Sequence, residues 1–185
     1  IEDRRRRRVQ PPPAGNMAMF VIIMGVSGSG KNTVGELLAA RLDCPFYDGD
    51  LFHPPANIAK MSAGVPLDDA DRLGWLQALA DLIRQGLAAG ECGVIACSAL
   101  KQSYRNLLAV DPQQVHFVYL KGHYDLIWER MLLRQGHYMK ASMLQSQFAA
   151  LEEPTDAFTV DISQTPPQIV DAILAHLASG TGLSS

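Results

Sequence analysis

No apolar run in this chain approaches the roughly 20 residues that a helix needs to cross a bilayer, which excludes a membrane-spanning helix within it. Cysteine is scarce. The three present, Cys44, Cys92 and Cys97, form no CxxC pair and do not sit in a short secreted frame, so neither a redox motif nor a disulfide-dense scaffold is indicated. The expectation is three free thiols, buried or half-buried, in a reducing compartment, and therefore a cytoplasmic protein. Charged residues make up only 19% of the chain against 48% apolar, which excludes general disorder. There is no internal repeat. With 185 residues, the chain suffices for one domain with a sizeable core and is too short for two.

The start, "IEDRRRRRVQPPPAGN", has no apolar periodicity and no signal-peptide h-region. We expect residues 1–16 to be a disordered leader or expression remnant, followed by a single domain over 17–185. An arginine run can attract nucleic acid or anionic membrane, but here it is confined to that start. The five arginines outweigh Glu2 and Asp3 by three, so the formal charge of -3 becomes -6 without them. An acidic body argues against a nucleic-acid or membrane partner.

Short apolar runs recur between helical patterns: "MFVIIM" at 19–24, "CPFY" at 44–47, "CGVIACS" at 92–98, "VHFVYL" at 115–120 and "AFTVDI" at 157–162. Five strands alternating with helices predict an α/β fold with a parallel sheet covered on both faces. Residues 68–89 read as a longer helix starting near "DDADR", with Trp75, Leu76, Leu79, Leu82 and Ile83 on its apolar side. Residues 122–152 read as two helices broken at Gly136, basic enough to form a lid. Ile169, Val170, Ile173, Leu174 and Leu177 mark a packing helix near the end.

The first strand runs into "GVSGSGKNTV", which meets the phosphate-loop pattern GxxxxGK[ST] at Gly25, Gly30 and Lys31 and misses its last position. Glycines there let backbone N–H groups converge on phosphate oxygens, and the helix N-terminus adds partial positive charge. Gly25, Val26, Ser27, Gly28, Ser29, Gly30, Lys31, Asn32 and Thr33 are the candidate nucleotide-binding residues. Lys31 would reach the outer phosphates. Asn32 stands where a hydroxyl usually meets Mg2+, and Thr33, one step on, is rotated by about 100°. Two readings stay open: Asn32 supplies its carboxamide oxygen directly or through water with weakened metal affinity, or the site binds nucleotide and turns over poorly.

Beyond the second strand comes "YDGDLFHPPANIAKM", where Asp48 and Asp50 would reach the same cleft. One carboxylate near Mg2+ and one near an acceptor hydroxyl suit phosphoryl transfer, although a DGD can equally be a turn. "CSALKQSYR" begins on the same cleft edge. Cys97 invites a nucleophile role, but no partner histidine is identifiable, and a structural role is the better reading.

Together, "GVSGSGK", "DGDLFHPPANIAKM", "PLDDADR", "CSALKQSYRNLL", "YLKG" and "SQFAALEEP" resemble a gluconokinase of the shikimate/gluconate kinase branch of P-loop small-molecule kinases, over roughly residues 19–165. The resemblance implies a three-layer P-loop NTPase fold like that of nucleoside-monophosphate kinases, with a helical lid. It further implies ATP and Mg2+, D-gluconate as acceptor, and a homodimer. Under it, Asp50 would orient and deprotonate the acceptor hydroxyl and Asp48 would hold Mg2+ through water. His53, Asn57, Lys60 and Met61 would line the sugar-acid side, with Arg72, Ser98, Lys101 and Arg105 as further contacts. Arg130 and Arg134 would close on the triphosphate, joined less firmly by His137 and Lys140. The chain departs from the family at Asn32, and at Gly74, where a proline is usual. Two alternatives remain at this point: a kinase of shikimate or another small hydroxy acid, and an impaired protein that binds ATP and gluconate without efficient transfer.

Overall fold

The computed structural model describes residues 18–133 and 141–180. The expected leader, together with Arg134, His137 and Lys140, lies outside the described residues. The elements run β1 (Phe20–Met24), α1 (Lys31–Leu42), β2 (Phe46–Asp48), a 3-10 turn (Gly49–Phe52), α2 (Pro55–Ser62), α3 (Asp69–Ala88), β3 (Gly93–Ala96), α4 (Gln102–Leu108), β4 (Val115–Lys121), α5 (Tyr124–Leu133), α6 (Ala141–Ala150), β5 (Phe158–Asp161) and α7 (Pro166–Gly180). The five strands are parallel in the order β2-β3-β1-β4-β5. Chain direction across the sheet reverses beside β1, so a cleft opens at the carboxyl end of that strand.

β1 shows why an unbroken apolar run makes a central strand. Side chains alternate across a strand, and both faces here are covered. Val21 and Ile23 join one core with Val34 and Leu38 of α1, Ile127 of α5 and Ile173 of α7. Phe20, Ile22 and Met24 join the other with Trp75, Leu79 and Ile83 of α3 and Leu108 of α4. The result is three layers. α3 starts where a capping box stops fraying: Asp68 accepts from the Asp71 N–H at 2.7 Å, and Asp71 accepts from the Asp68 N–H at 3.0 Å. That start is intact despite Gly74. α2 was not delineated from the sequence; it is only eight residues long and opens on Pro55.

Two of the three expected free thiols are not free. Cys44 and Cys92 form a disulfide with a Cα–Cα distance of 5.5 Å. The cause is register. β2 pairs with β3 at Phe46↔Val94, and continuing that parallel pairing backwards by two residues lays Cys44 beside Cys92. The argument from cysteine to a reducing compartment loses its premise. Cys97 is free and buried, and burial pushes its thiol up to about 12. A thiol assay therefore should find no reactive cysteine in the native protein, one per chain in denaturant, and three when reductant is added. Three without reductant would eliminate the bridge.

Candidate active site

The phosphate loop lies between β1 and α1 and is pressed from above by α5. Gly28 has φ 80, and a Cβ there would stand 2.8 Å from the Met131 Cγ, so only glycine fits both the turn and the neighbour. Gly30 is the N-cap of α1 and provides no side-chain cap, which leaves the first N–H groups of the helix to a ligand. The Ser29 hydroxyl is buried with no hydrogen-bond partner among the described residues. An orphaned hydroxyl within a loop of amides matches the oxygens of a polyphosphate. The Lys31 Nζ donates to the Val26 carbonyl at 3.0 Å, and the Ser27 N–H donates to Gln147 Oε1 of α6 at 2.6 Å.

The two aspartates occupy different elements. Asp48 is the last residue of β2, whereas Asp50 sits in the 3-10 turn beyond it. The Asn32 Nδ2 donates to Asp48 Oδ2 at 2.9 Å, and the Asp50 N–H donates to Asp48 Oδ1 at 3.1 Å. This bond fixes the orientation of the Asn32 carboxamide, because its oxygen in that place would face a carboxylate oxygen. Both residues offer hard oxygen donors, which fits Mg2+ held mainly by substrate phosphates and water. Gly49 between the aspartates is required by close approach, since a Cβ would strike the Ala96 carbonyl of β3. The Gly25 N–H donates to the Ser98 carbonyl at 3.3 Å, tying the phosphate loop to the end of β3.

On the acceptor side, the buried Trp75 Nε1 donates to the Gly49 carbonyl at 2.7 Å, pinning the turn that carries Asp50. His53 stacks on Trp75 with ring centroids 4.2 Å apart. Burial lowers its pKa, against the attraction of Asp50 and with added repulsion from Arg72. Asn57 is buried, and its Nδ2 donates to the Asp71 carbonyl at 2.8 Å and lies 3.3 Å from His53 Nδ1. It ties α2 to α3. Met61 is an exposed side chain on α2.

The expected cations are already partnered. Lys60 pairs with Asp71 at 2.6 Å, and Lys101 with Asp69 at 2.8 Å. Tyr104 also donates to Asp69, whose pKa falls mainly through the Lys101 and then the Tyr104 hydrogen bond. Arg72 packs against Tyr104. Its guanidinium donates to the Tyr104 hydroxyl at 3.4 Å and lies 5.9 Å from that ring's centroid. Tyr104 and Asp69 thus join the cluster although neither was singled out as a site residue. An aromatic hydroxyl three residues past Lys101 was the available signal.

Arg105 requires a correction. It is only 2% exposed and donates to the carbonyls of Ala99 at 2.9 Å, Leu100 at 3.1 Å and Glu152 at 2.9 Å, and to Gln102 Oε1 at 2.8 Å. With its fork enclosed by backbone, it is a clamp between segments and not a substrate contact. Arg130 donates to the Ile162 carbonyl beyond β5 at 2.6 Å, a bond it must release to reach a triphosphate.

Comparison with known proteins bears on the family. The family model described as Shikimate kinase matches residues 27–178. A gluconokinase of Gluconobacter oxydans (strain 621H) is 43% identical over 160 residues, covering 85% of this chain and 90% of its own. The thermoresistant gluconokinase of Escherichia coli (strain K12) is 43% identical over 163 residues, covering 86% and 93%. A solved gluconokinase structure from Sinorhizobium meliloti 1021 superposes with a TM-score of 0.79 at 44% identity, covering 89% of this chain and 94% of that one.

Proposed function

The chain belongs to the shikimate kinase family and, within it, to the gluconokinases, and from that premise we propose that it transfers the γ-phosphoryl group of ATP to D-gluconate, giving 6-phospho-D-gluconate. The observation that carries this reading is the meeting of the phosphate loop with a two-aspartate turn at one sheet edge, bridged by the Asn32–Asp48 hydrogen bond. Gly25 to Thr33 receive the phosphates, with the Lys31 ammonium moving from the Val26 carbonyl to the transferring group. Asp50 orients the acceptor hydroxyl and takes its proton. Asp48 and Asn32 would hold Mg2+, which would supply charge neutralisation for the outer phosphates.

On the acceptor side, His53 presents a mainly neutral ring. The pairs Lys60–Asp71 and Lys101–Asp69 and the Arg72–Tyr104 contact form a charged rim that suits a polyhydroxy acid. Met61 and Ser98 complete that side, and Asn57 holds His53 in place. Arg130, with Arg134, His137 and Lys140, would screen the phosphates. ATP use supports a cytoplasmic address, and a homodimer is the expected assembly.

The test is ADP release with D-gluconate or shikimate across a Mg2+ titration, for this protein and its Asn32→Ser variant. We expect turnover with gluconate alone, half-saturated at roughly tenfold less Mg2+ in the variant, because a hydroxyl is a compact ligand that leaves Asp48 unengaged. Recovery of turnover only in the variant would mark an impaired kinase. Activity with shikimate alone, or silence from both proteins, would overturn the gluconate reading.

A further inference from the structure

We propose that Gln147 is a positioning residue that occupies the phosphate loop in place of a phosphate oxygen and is exchanged for nucleotide. The inference rests on the reading of Gly25 to Thr33 as a phosphate site. The Ser27 N–H belongs to the "GVSGSGK" turn whose amides converge on phosphate, yet it donates to Gln147 Oε1 at 2.6 Å across 120 residues of sequence. Gln147 is well placed to do this. α6 is anchored by the fully buried Leu144, and Phe148, next to Gln147, packs against Tyr124 of α5 with ring centroids 5.5 Å apart. α5 in turn lies on the loop through Met131 and Ile127 against Gly28. The carboxamide therefore comes from an element docked over the loop and not from a wandering surface chain.

An amide N–H has one hydrogen to donate, so the Gln147 carbonyl and an incoming phosphate oxygen compete for it. Before nucleotide binds, Gln147 satisfies a donor that would otherwise stand unpaired, and so holds the loop in its receptive shape. Binding replaces a neutral acceptor by an anionic one, which makes the stronger bond, and the exchange proceeds. Displacement still subtracts from nucleotide affinity. Through Ser27, occupancy of the loop is coupled to the hold of α6.

The test is calorimetric binding of Mg-ADP to the full chain and to Gln147→Ala and Gln147→Glu, followed by gluconate kinetics. Removing the competitor should tighten ADP binding roughly threefold to tenfold, the worth of one ordinary hydrogen bond, and lower the KM for ATP with little change in kcat. Gln147→Glu places a carboxylate on the same N–H and should weaken ADP binding, with recovery as pH falls and the glutamate protonates. Alanine binding ADP more weakly than the parent, or a glutamate variant without this pH dependence, would overturn the proposal. A parent protein that binds no ADP would instead remove the phosphate-site reading on which it stands.

Discussion

Asp50→Asn is expected to lower kcat for gluconate phosphorylation by about 100-fold to 10,000-fold, the usual range for loss of a positioned general base. The amide keeps the shape of the carboxylate and can still accept a hydrogen bond, but it cannot take a proton at neutral pH. Asp50 is exposed in a turn held independently of its side chain: its N–H is fixed by Asp48 Oδ1, and the preceding Gly49 carbonyl by Trp75. The fold and the phosphate loop therefore stay as they are, and ADP affinity should hold near the parental value. Calorimetry with ADP beside steady-state kinetics with gluconate separates the two effects. A kcat close to the parent's would remove Asp50 from proton transfer, and a joint loss of ADP binding would show that its role is to shape the site.

Much of this site could be read before any coordinates. The run from Phe20 to Met24 followed by the glycine pattern announces strand, turn and helix, and β1 and α1 fall where that order puts them. The strand limits fall within about two residues of the apolar runs; for β1 and β3 the reason is burial on both faces, which demands a continuous apolar stretch. Asp68 and Asp71 mark the start of α3 through a local bond pattern that needs no tertiary knowledge.

What stayed hidden depends on which elements become neighbours. The Cys44–Cys92 bridge follows from β2 lying beside β3, although β1 precedes both in the chain and sits on the other side of β3. Lys60 and Lys101 carry the right charge for an anionic substrate. Nothing in a one-dimensional pattern says that Asp71 and Asp69 reach them first. Gln147 is a neutral amide whose only distinction is the loop it touches.

The same limit produced the misreading of Arg105, and Arg105→Met measures it. An arginine in a helix after a cleft-edge strand looks like a surface cation, since arginine is almost never fully buried unless its donors are taken up. Here the two terminal nitrogens are taken up by Ala99, Leu100, Gln102 and Glu152, leaving only Nε without a partner among the described residues, and the Glu152 N–H answers by donating to the Leu100 carbonyl at 2.9 Å. Ala99 has φ 43, a left-handed conformation that disfavours a Cβ, so the clamp also holds a strained turn in place. Methionine fills part of the volume and leaves the buried Ala99 carbonyl without the Arg105 donor, while the Leu100 carbonyl keeps only the Glu152 N–H. We expect a loss of about 3–5 kcal/mol of stability, seen as a fall in Tm of roughly 10 °C or more for a chain of this size. Below the new Tm the KM for gluconate should be unchanged, because both terminal nitrogens of Arg105 are spent on Ala99, Leu100, Gln102 and Glu152. An unaltered Tm with a raised KM would return Arg105 to the substrate site and would require the β3–α4 loop to be held by something else.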